Sequence, residues 1–380
     1  MLGEKARGTA RPAVAVVQIV GGGTGTDEAS VHGLLAAYRP ESGDAPVGVS
    51  HGGYFDLDME GIEGQTRRLL RTDIDAWHWD NLALPSGVRL ASFRATVAAG
   101  EPLSAVAHFG PDGLEGKIQI GRFEDVSDAI LATAGGRALA LRLAKDGTFR
   151  AGVADVLPNG QFLSGNVLTD RQQRRQEVLR QMRQPAALGR AEGRNEVIAW
   201  ANPVDMQFTL APDARTTGNA LLTMPLRLER TSPGKRVTIP GPLVSLRQII
   251  AAGPIQLTRE STQASDLRLR FQLPAEVLPL RVESARLIVR VEAPSRQVVI
   301  AGRGDAGPLE LHRVSSPLDV IRLEIADEPL LRLDDQGGLY FTLSFGEEQS
   351  ALGGAKDARE VSQKWRIEDL ELEVVGTTKE

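Results

Sequence analysis

The chain of 380 residues contains no cysteine, which excludes a disulfide framework, a thiolate metal site and a cysteine nucleophile. An excess of positive charge is missing as well: 44 basic residues stand against 49 acidic ones, mixed along the chain, for a formal charge of −5. A general nucleic-acid-binding protein needs a net basic surface to displace phosphate counterions, so that class is set aside. Long apolar runs are absent too. Val14 to Val20 follows a few basic residues, but it is too short and interrupted for a membrane span, and no small-residue cleavage site follows it. Neither a transmembrane segment nor a secretion signal is expected from this chain, and an extracytoplasmic or cell-surface location is the reading preferred. The five histidines are dispersed and no HExxH spacing occurs, so no cofactor and no metal centre is expected.

What the chain has is alternation. In Asp266 to Val291, DLRLRFQLPAEVLPLRVESARLIVRV, residues Leu267, Leu269, Phe271 and Leu273 alternate with Arg268, Arg270 and Gln272. An extended backbone puts the first set on one face and the second in water, whereas a helix would scatter those leucines around its circumference. Leu278, Leu280 and Val282 alternate again. Ala285, Leu287, Val289 and Val291 continue, with Ile288 the one mismatch. Two sheets packed face to face use this pattern. The phrase LRLRFQLPAEVLPLRVESARLIVRV resembles jelly-roll modules of bacterial surface proteins, in which LRF-x-L-P precedes V-x-S-A-x-L-x-V-x-V. The resemblance implies a sandwich that accompanies or binds polysaccharide. It carries no catalytic motif.

Val14 to Val20 reads as a buried strand ended by Gly21-Gly22-Gly23-Thr24-Gly25. The glycines do not fall as GxGxxG and no Lys-Ser/Thr follows, so an inter-strand loop is expected rather than a phosphate cradle. Val31 to Tyr38 fits a short helix or a strand. In HGGYFDLDMEG, Phe55, Leu57 and Met59 share one face of a strand and Asp56, Asp58 and Glu60 the other. APVGVSHGGYFDLDMEG resembles the turn-then-strand phrase of transthyretin-like or carboxypeptidase-regulatory-like β-domains. Asp56 and Asp58 are candidate oxygen ligands for a hard cation, with solvated strand charges as the plainer reading. The most chemically loaded stretch is Asp73 to Asp80, DIDAWHWD. There Trp77 and Trp79 share one face and form a candidate sugar platform with Asp75 and Asp80 as hydroxyl partners; the competing reading makes both tryptophans core aromatics.

Turn chemistry at Pro111-Asp112-Gly113, Lys145-Asp146-Gly147 and Asn159-Gly160 predicts several short antiparallel strands over 14 to 168. From Thr169, TDRQQRRQEVLRQM reads as a helix capped by Thr169 or Asp170, with Arg171, Arg174, Arg175, Arg180 and Arg183 on a solvated face. A Pro- and Gly-bearing stretch to Asn195 then marks a boundary. Leu222, Met224, Leu226 and Leu228 alternate, with Pro225 suggesting an edge strand. Arg303-Gly304-Asp305 spells a cell-adhesion tripeptide, too short to weigh. In KWRIEDLELEVVG the apolar phase slips by one residue, which predicts a β-bulge near Glu368-Asp369.

The expected architecture is all-β: a flexible N-terminus (1–13), a β-sandwich-like domain (14–168), a helix and linker (169–195) and a jelly-roll-like β-sandwich domain (196–378). Three functions are carried forward. The first is a non-catalytic structural or interaction protein, an accessory component of a bacterial surface or envelope assembly with a protein partner. The second is a carbohydrate-binding protein with polysaccharide as its partner. The third is a polysaccharide hydrolase or lyase using carboxylates.

Overall fold

The computed structural model describes residues 12–22, 27–44, 47–49, 53–58, 60, 68–71, 76–80, 82–165, 168–182, 194–205, 208–209, 214–249, 260–304, 307–347 and 364–380. The protein is all-β, with sheets packed in layers and one α-helix among the described residues.

A twelve-stranded sheet is built around Arg215–Leu228, which has neighbours on both edges. Along one edge it pairs in parallel with Ala13–Gly22, from Ala13 opposite Arg215 to Gly21 opposite Thr223. Along the other it pairs antiparallel with Glu196–Ala201. Past Thr223 its parallel partner changes to Ser104–Gly110, beginning with Ala105 opposite Leu226. Pro225 sits at this change of partner, where its missing N–H breaks no ladder. The edge position expected of Pro225 is therefore corrected: the strand is interior, and the proline is accommodated at a handover. Beyond Ala13–Gly22 the order runs through Glu28–Arg39 and Gly87–Ala98 to Gly53–Leu57.

The second assembly is a sandwich of two five-stranded sheets. One contains Ser245–Gln248, Ser265–Gln272, Gly338–Phe345, Gln297–Gly304 and Gly307–Ser315; the other is centred on Leu280–Glu292 and Trp365–Thr378. The alternating residues behave as the pattern requires: Leu267, Leu269, Phe271, Leu287, Val289 and Val291 are all buried. Phe345 and Trp365 stack across the two sheets, 3.9 Å between centroids at 9°. The phase slips are bulges. Glu283 is the extra residue between Val282 and Ser284, and Glu368 the extra one between Ile367 and Asp369. Each restores the apolar set to the core side. The turn before Gly338–Phe345 is organised by Asp334, whose carboxylate accepts from Tyr340 Oη (2.6 Å), the Gly338 and Gln336 amides and Arg270. Burial pushes its pKa up, but these donors outweigh burial and hold it at about 2.

The polar stretch after Thr169 does not separate the two assemblies. Glu196–Ala201 and Arg215–Leu228, which the boundary at 195 assigned to the second unit, are strands of the first sheet. Buried apolar side chains of the first sheet and of both sandwich sheets form one contiguous cluster. The helix Asp170–Met182 starts with a capping box: Thr169 Oγ1 accepts from the Gln172 N–H (3.3 Å), and Gln172 Oε1 accepts from the Thr169 N–H (3.1 Å). Its basic face is not wholly solvated. Arg175 is buried, pairs with Asp128, donates to Asn219 Oδ1 (3.2 Å) and lies 5.2 Å over the Trp200 ring. Leu179 joins Phe162, Leu157, Ile198, Trp200 and Leu221 in a second, smaller core on the far side of the sheet. The helix thus covers part of that far side and is tied through Gln176 to Gly160 and Phe162.

Candidate functional site

On the inner side of the first sheet, Val14, Val16 and Val20, Val31 and Leu35, Ala91 and Phe93, and Phe55 and Leu57 are buried. Strand alternation sends their neighbours to the outer side, the side on which the helix lies against Leu221 further along. Where the helix ends its cover, the outer side remains apolar. Ala13, Tyr38 and Val88 form one cross-strand row; Ala15, Ala36 and Leu90 form the next; Val17, Leu34 and Ser92 form the third. Leu34 is 66% exposed, Val88 62%, Leu90 59% and Tyr38 38%. Isolated exposed leucines are ordinary, whereas these rows form a contiguous apolar patch on one sheet face. Its margins are charged: Asp56 and Asp58 on the Gly53 side, Arg94 beside Tyr54, and Arg215 on the opposite side, all exposed. The sign available in the sequence was VHGLLAAY at 31–38, apolar on both faces of one strand.

The residues expected from sequence are placed as follows. Trp77–Asp80 is a strand between Arg68–Arg71 and Gly48–Val49. Trp77 and Trp79 are brought together, half-buried against the first core, with centroids 6.4 Å apart at 88°. Trp77 also tilts against Phe55 at 6.5 Å, and its Nε1 donates to Gly53 O at 3.3 Å. An edge-to-face pair is good core packing and presents no common plane to a sugar ring. Asp80 lies 3.3 Å from His78 Nε2. Asp75 and Met59 lie outside the described residues, as does Asp305. Asp56 and Asp58 are exposed on the outer face, and among the described residues no group of three or more His, Asp or Glu is arranged to hold a metal ion.

Gly48-Val49-Ser50-His51-Gly52 has the G-x-S-x-G spacing of a hydrolase nucleophile turn. That motif needs a strand leading into a helix. Here Gly48–Val49 and Gly53–Leu57 on either side are both strands, while Ser50 to Gly52 lie outside the described residues.

A second polar site was not foreseen. A cleft of about 800 Å³ opens between the turn Ala134–Arg137 of the first sheet, the segment Gly241–Leu246, and Ile367–Glu371 of the sandwich. Arg137 spans it: its Nη1 donates to Asp369 and also contacts Glu371, while Nη2 donates to Leu157 O at 3.2 Å. Glu371 Oε1 is held by an ion pair with Arg137 Nη1, while Arg137 Nε is buried without a hydrogen-bond partner. Burial pushes Glu371 up to about 7, with Arg137 opposing and Asp369 and Glu373 reinforcing the rise. Asn159, Asn195, Gln272 and Glu276 complete the polar lining. Arg137 and Glu371 are far apart in sequence and carry no motif, which is why only the fold brings them to notice.

No family model and no curated protein matches this chain. Among solved structures, similarity is found to a glycoside hydrolase family 43 arabinoxylan arabinofuranohydrolase from Bacillus subtilis in complex with cellotetraose, at 10% identity and TM-score 0.14, covering 98% of this chain and 80% of that one. Coconut allergen cocosin (9% identity, TM-score 0.11, 93% and 78% covered) and pumpkin seed globulin (10%, 0.11, 93% and 78%) are also found. Likenesses of this size go no further than a shared richness in β-structure. The class that the fold defines is an all-β, cysteine-free protein of layered sheets.

Proposed function

We propose that this protein is a non-catalytic structural or interaction protein that works as an accessory component of a larger assembly, of the bacterial surface or envelope kind that its sandwich phrases resemble. The observation that carries this reading is the open apolar face of Val17, Leu34, Tyr38, Val88 and Leu90. Covering it removes apolar side chains from water at about 25 cal/mol per Å², and an open apolar sheet face without convergent polar groups suits another protein better than a sugar ring. A photo-crosslinking residue at position 90 tests it in cells that make the protein. Protein adducts at 90, absent when the probe sits at the exposed Asp146, are expected; equal labelling at both positions removes the reading.

The cleft favours a second reading, carbohydrate binding. Amides at Asn159, Asn195 and Gln272 with the carboxylates of Glu276 and Asp369 are the partners that hydroxyl groups use, in a concavity large enough for one or two sugar rings. Polysaccharide retention that survives Asn195→Ala with Gln272→Ala counts against it. If the bound sugar were also cleaved, Glu371, protonated near neutrality, is the residue suited to be the acid, and Glu371→Gln would abolish turnover.

A further inference from the structure

The open face has a geometry of its own that bears on what covers it. Five strands contribute in spatial order Arg215–Leu228, Ala13–Gly22, Glu28–Arg39, Gly87–Ala98 and Gly53–Leu57, so Glu28–Arg39 is the middle one. The apolar rows centre on it, through Leu34, Ala36 and Tyr38. Asp56 and Asp58 lie at the opposite outer strand from Arg215, which is across from Ala13, while Arg94 stands on Gly87–Ala98 beside Tyr54.

We propose that the occupant of this face is a second copy of this chain, packed sheet on sheet about a two-fold axis parallel to the Glu28–Arg39 strand; this rests on the interaction reading above. Such an axis keeps the middle strand over itself and exchanges the outer strands. Leu34 and Leu90 of one copy then meet the same rows of the other, as an isologous interface requires. Asp58 of one copy comes within one pleat of Arg215 of the other, a step of about 7 Å that an arginine side chain can span. Opposite charge therefore meets opposite charge on both margins, and no like-charged pair is forced together at those two positions. The alternative of a strongly acidic or basic partner finds no single-signed field among the described residues of this face.

The area is sufficient. Five strands at about 4.8 Å spacing and four outward positions at about 7 Å give a footprint of about 24 Å by about 28 Å, on the order of 650 Å² per copy, or about 1,300 Å² for the pair before surface corrugation is counted. Specific interfaces begin near ~1,000 Å² in total, so a reversible dimer in the micromolar range is the expectation. The pairing also continues what the helix begins. Asp170–Met182 covers the outer side at Leu221, and the second copy covers the adjoining rows from Ile19 and Val17 onward.

Sedimentation equilibrium of the full chain up to about 100 µM tests this. A monomer–dimer equilibrium is expected for the native protein. Leu34→Asp should remove it while leaving the circular dichroism and melting curve unchanged. Asp58→Arg should weaken association at least tenfold, and adding Arg215→Asp should bring it back to within about threefold of the native value, because the exchanged charges again face each other. A native protein that stays monomeric, a dimer that ignores Leu34→Asp, or a charge reversal that the second substitution does not rescue each overturns the two-fold pairing. Crosslinking from position 90 keeps that failure separate from failure of the reading beneath it. A monomer whose position 90 captures a different protein loses the self-association and retains the interaction role. A monomer that captures none loses both.

Discussion

Val17 and Leu34 stand directly opposite one another on neighbouring antiparallel strands, and both point away from the core that their chain neighbours Val16 and Leu35 fill. One residue step along either strand separates a buried aliphatic side chain from an open one. Substitution should show the contrast. Leu34→Asp is expected to change folding stability by no more than about 0.5 kcal/mol, and Leu35→Ala to cost about 2–5 kcal/mol, read by urea denaturation. Equal losses at the two positions would mean that the face is covered within the single chain.

Gly33 lies over Phe93, and a methyl group there would stand 2.7 Å from the ring and 2.2 Å from the Val17 carbonyl oxygen. Gly33→Ala should therefore destabilise by about 1–3 kcal/mol through overpacking. Adding Phe93→Leu should recover only part of this, because the backbone contact with Val17 remains. Thermal melts of the two variants check the order.

Arg175 and Arg171 lie on the same helix with different surroundings. Both donate to Asn219 Oδ1, but Arg175 is buried against Asp128 over Trp200, whereas Arg171 is half-exposed and 3.9 Å from Asp125. Arg175→Ala leaves the mostly buried Asp128 carboxylate without its cation, with only the neutral Gln172 amide still donating to it, and is expected to cost about 3 kcal/mol. Arg171→Ala should cost less than about 1 kcal/mol. Loss of helical signal at 222 nm alongside the first but not the second would locate the effect.

Glu371 is expected to make the contact between the two assemblies sensitive to pH. The unfolded chain releases this proton near 4.5 and the folded chain near about 7. Between those values the folded state binds more protons, so its stability is fully present below 4.5 and falls as pH rises through 7, by up to about 3 kcal/mol. Glu371→Gln should flatten this part of the stability profile measured by denaturation at pH 5 and pH 8. An unchanged slope would assign the dependence to other groups.

Much of the fold was legible because its strands face water on one side and core on the other. Leu267 to Val291 alternates plainly, and the slip at Glu368 is visible as a change of phase because the same strand keeps its apolar set inward. Thr169 could be named as a cap because its hydroxyl acts within three residues. Three features escaped for physical reasons. VHGLLAAY has no period of two, since both its faces are apolar, so helix and strand could not be told apart. Arg175 looked like one solvated arginine among several, because its partners Asp128 and Trp200 come from distant strands. The pairing of Ala13–Gly22 with Arg215–Leu228 joins segments about two hundred residues apart, and composition near 184–195 pointed to a boundary that the sheet ignores.

The absence of cysteine permits a clean reporter, since any introduced thiol is the sole one in the chain. The most direct measurement is the maleimide labelling rate of Leu34→Cys, against Asp146→Cys as a reference, from dilute to concentrated protein and in the source cells. The account predicts that Leu34→Cys reacts freely when dilute and becomes at least tenfold slower as the face is covered, while Asp146→Cys is unaffected. Equal, unprotected labelling of both thiols under every condition would contradict it.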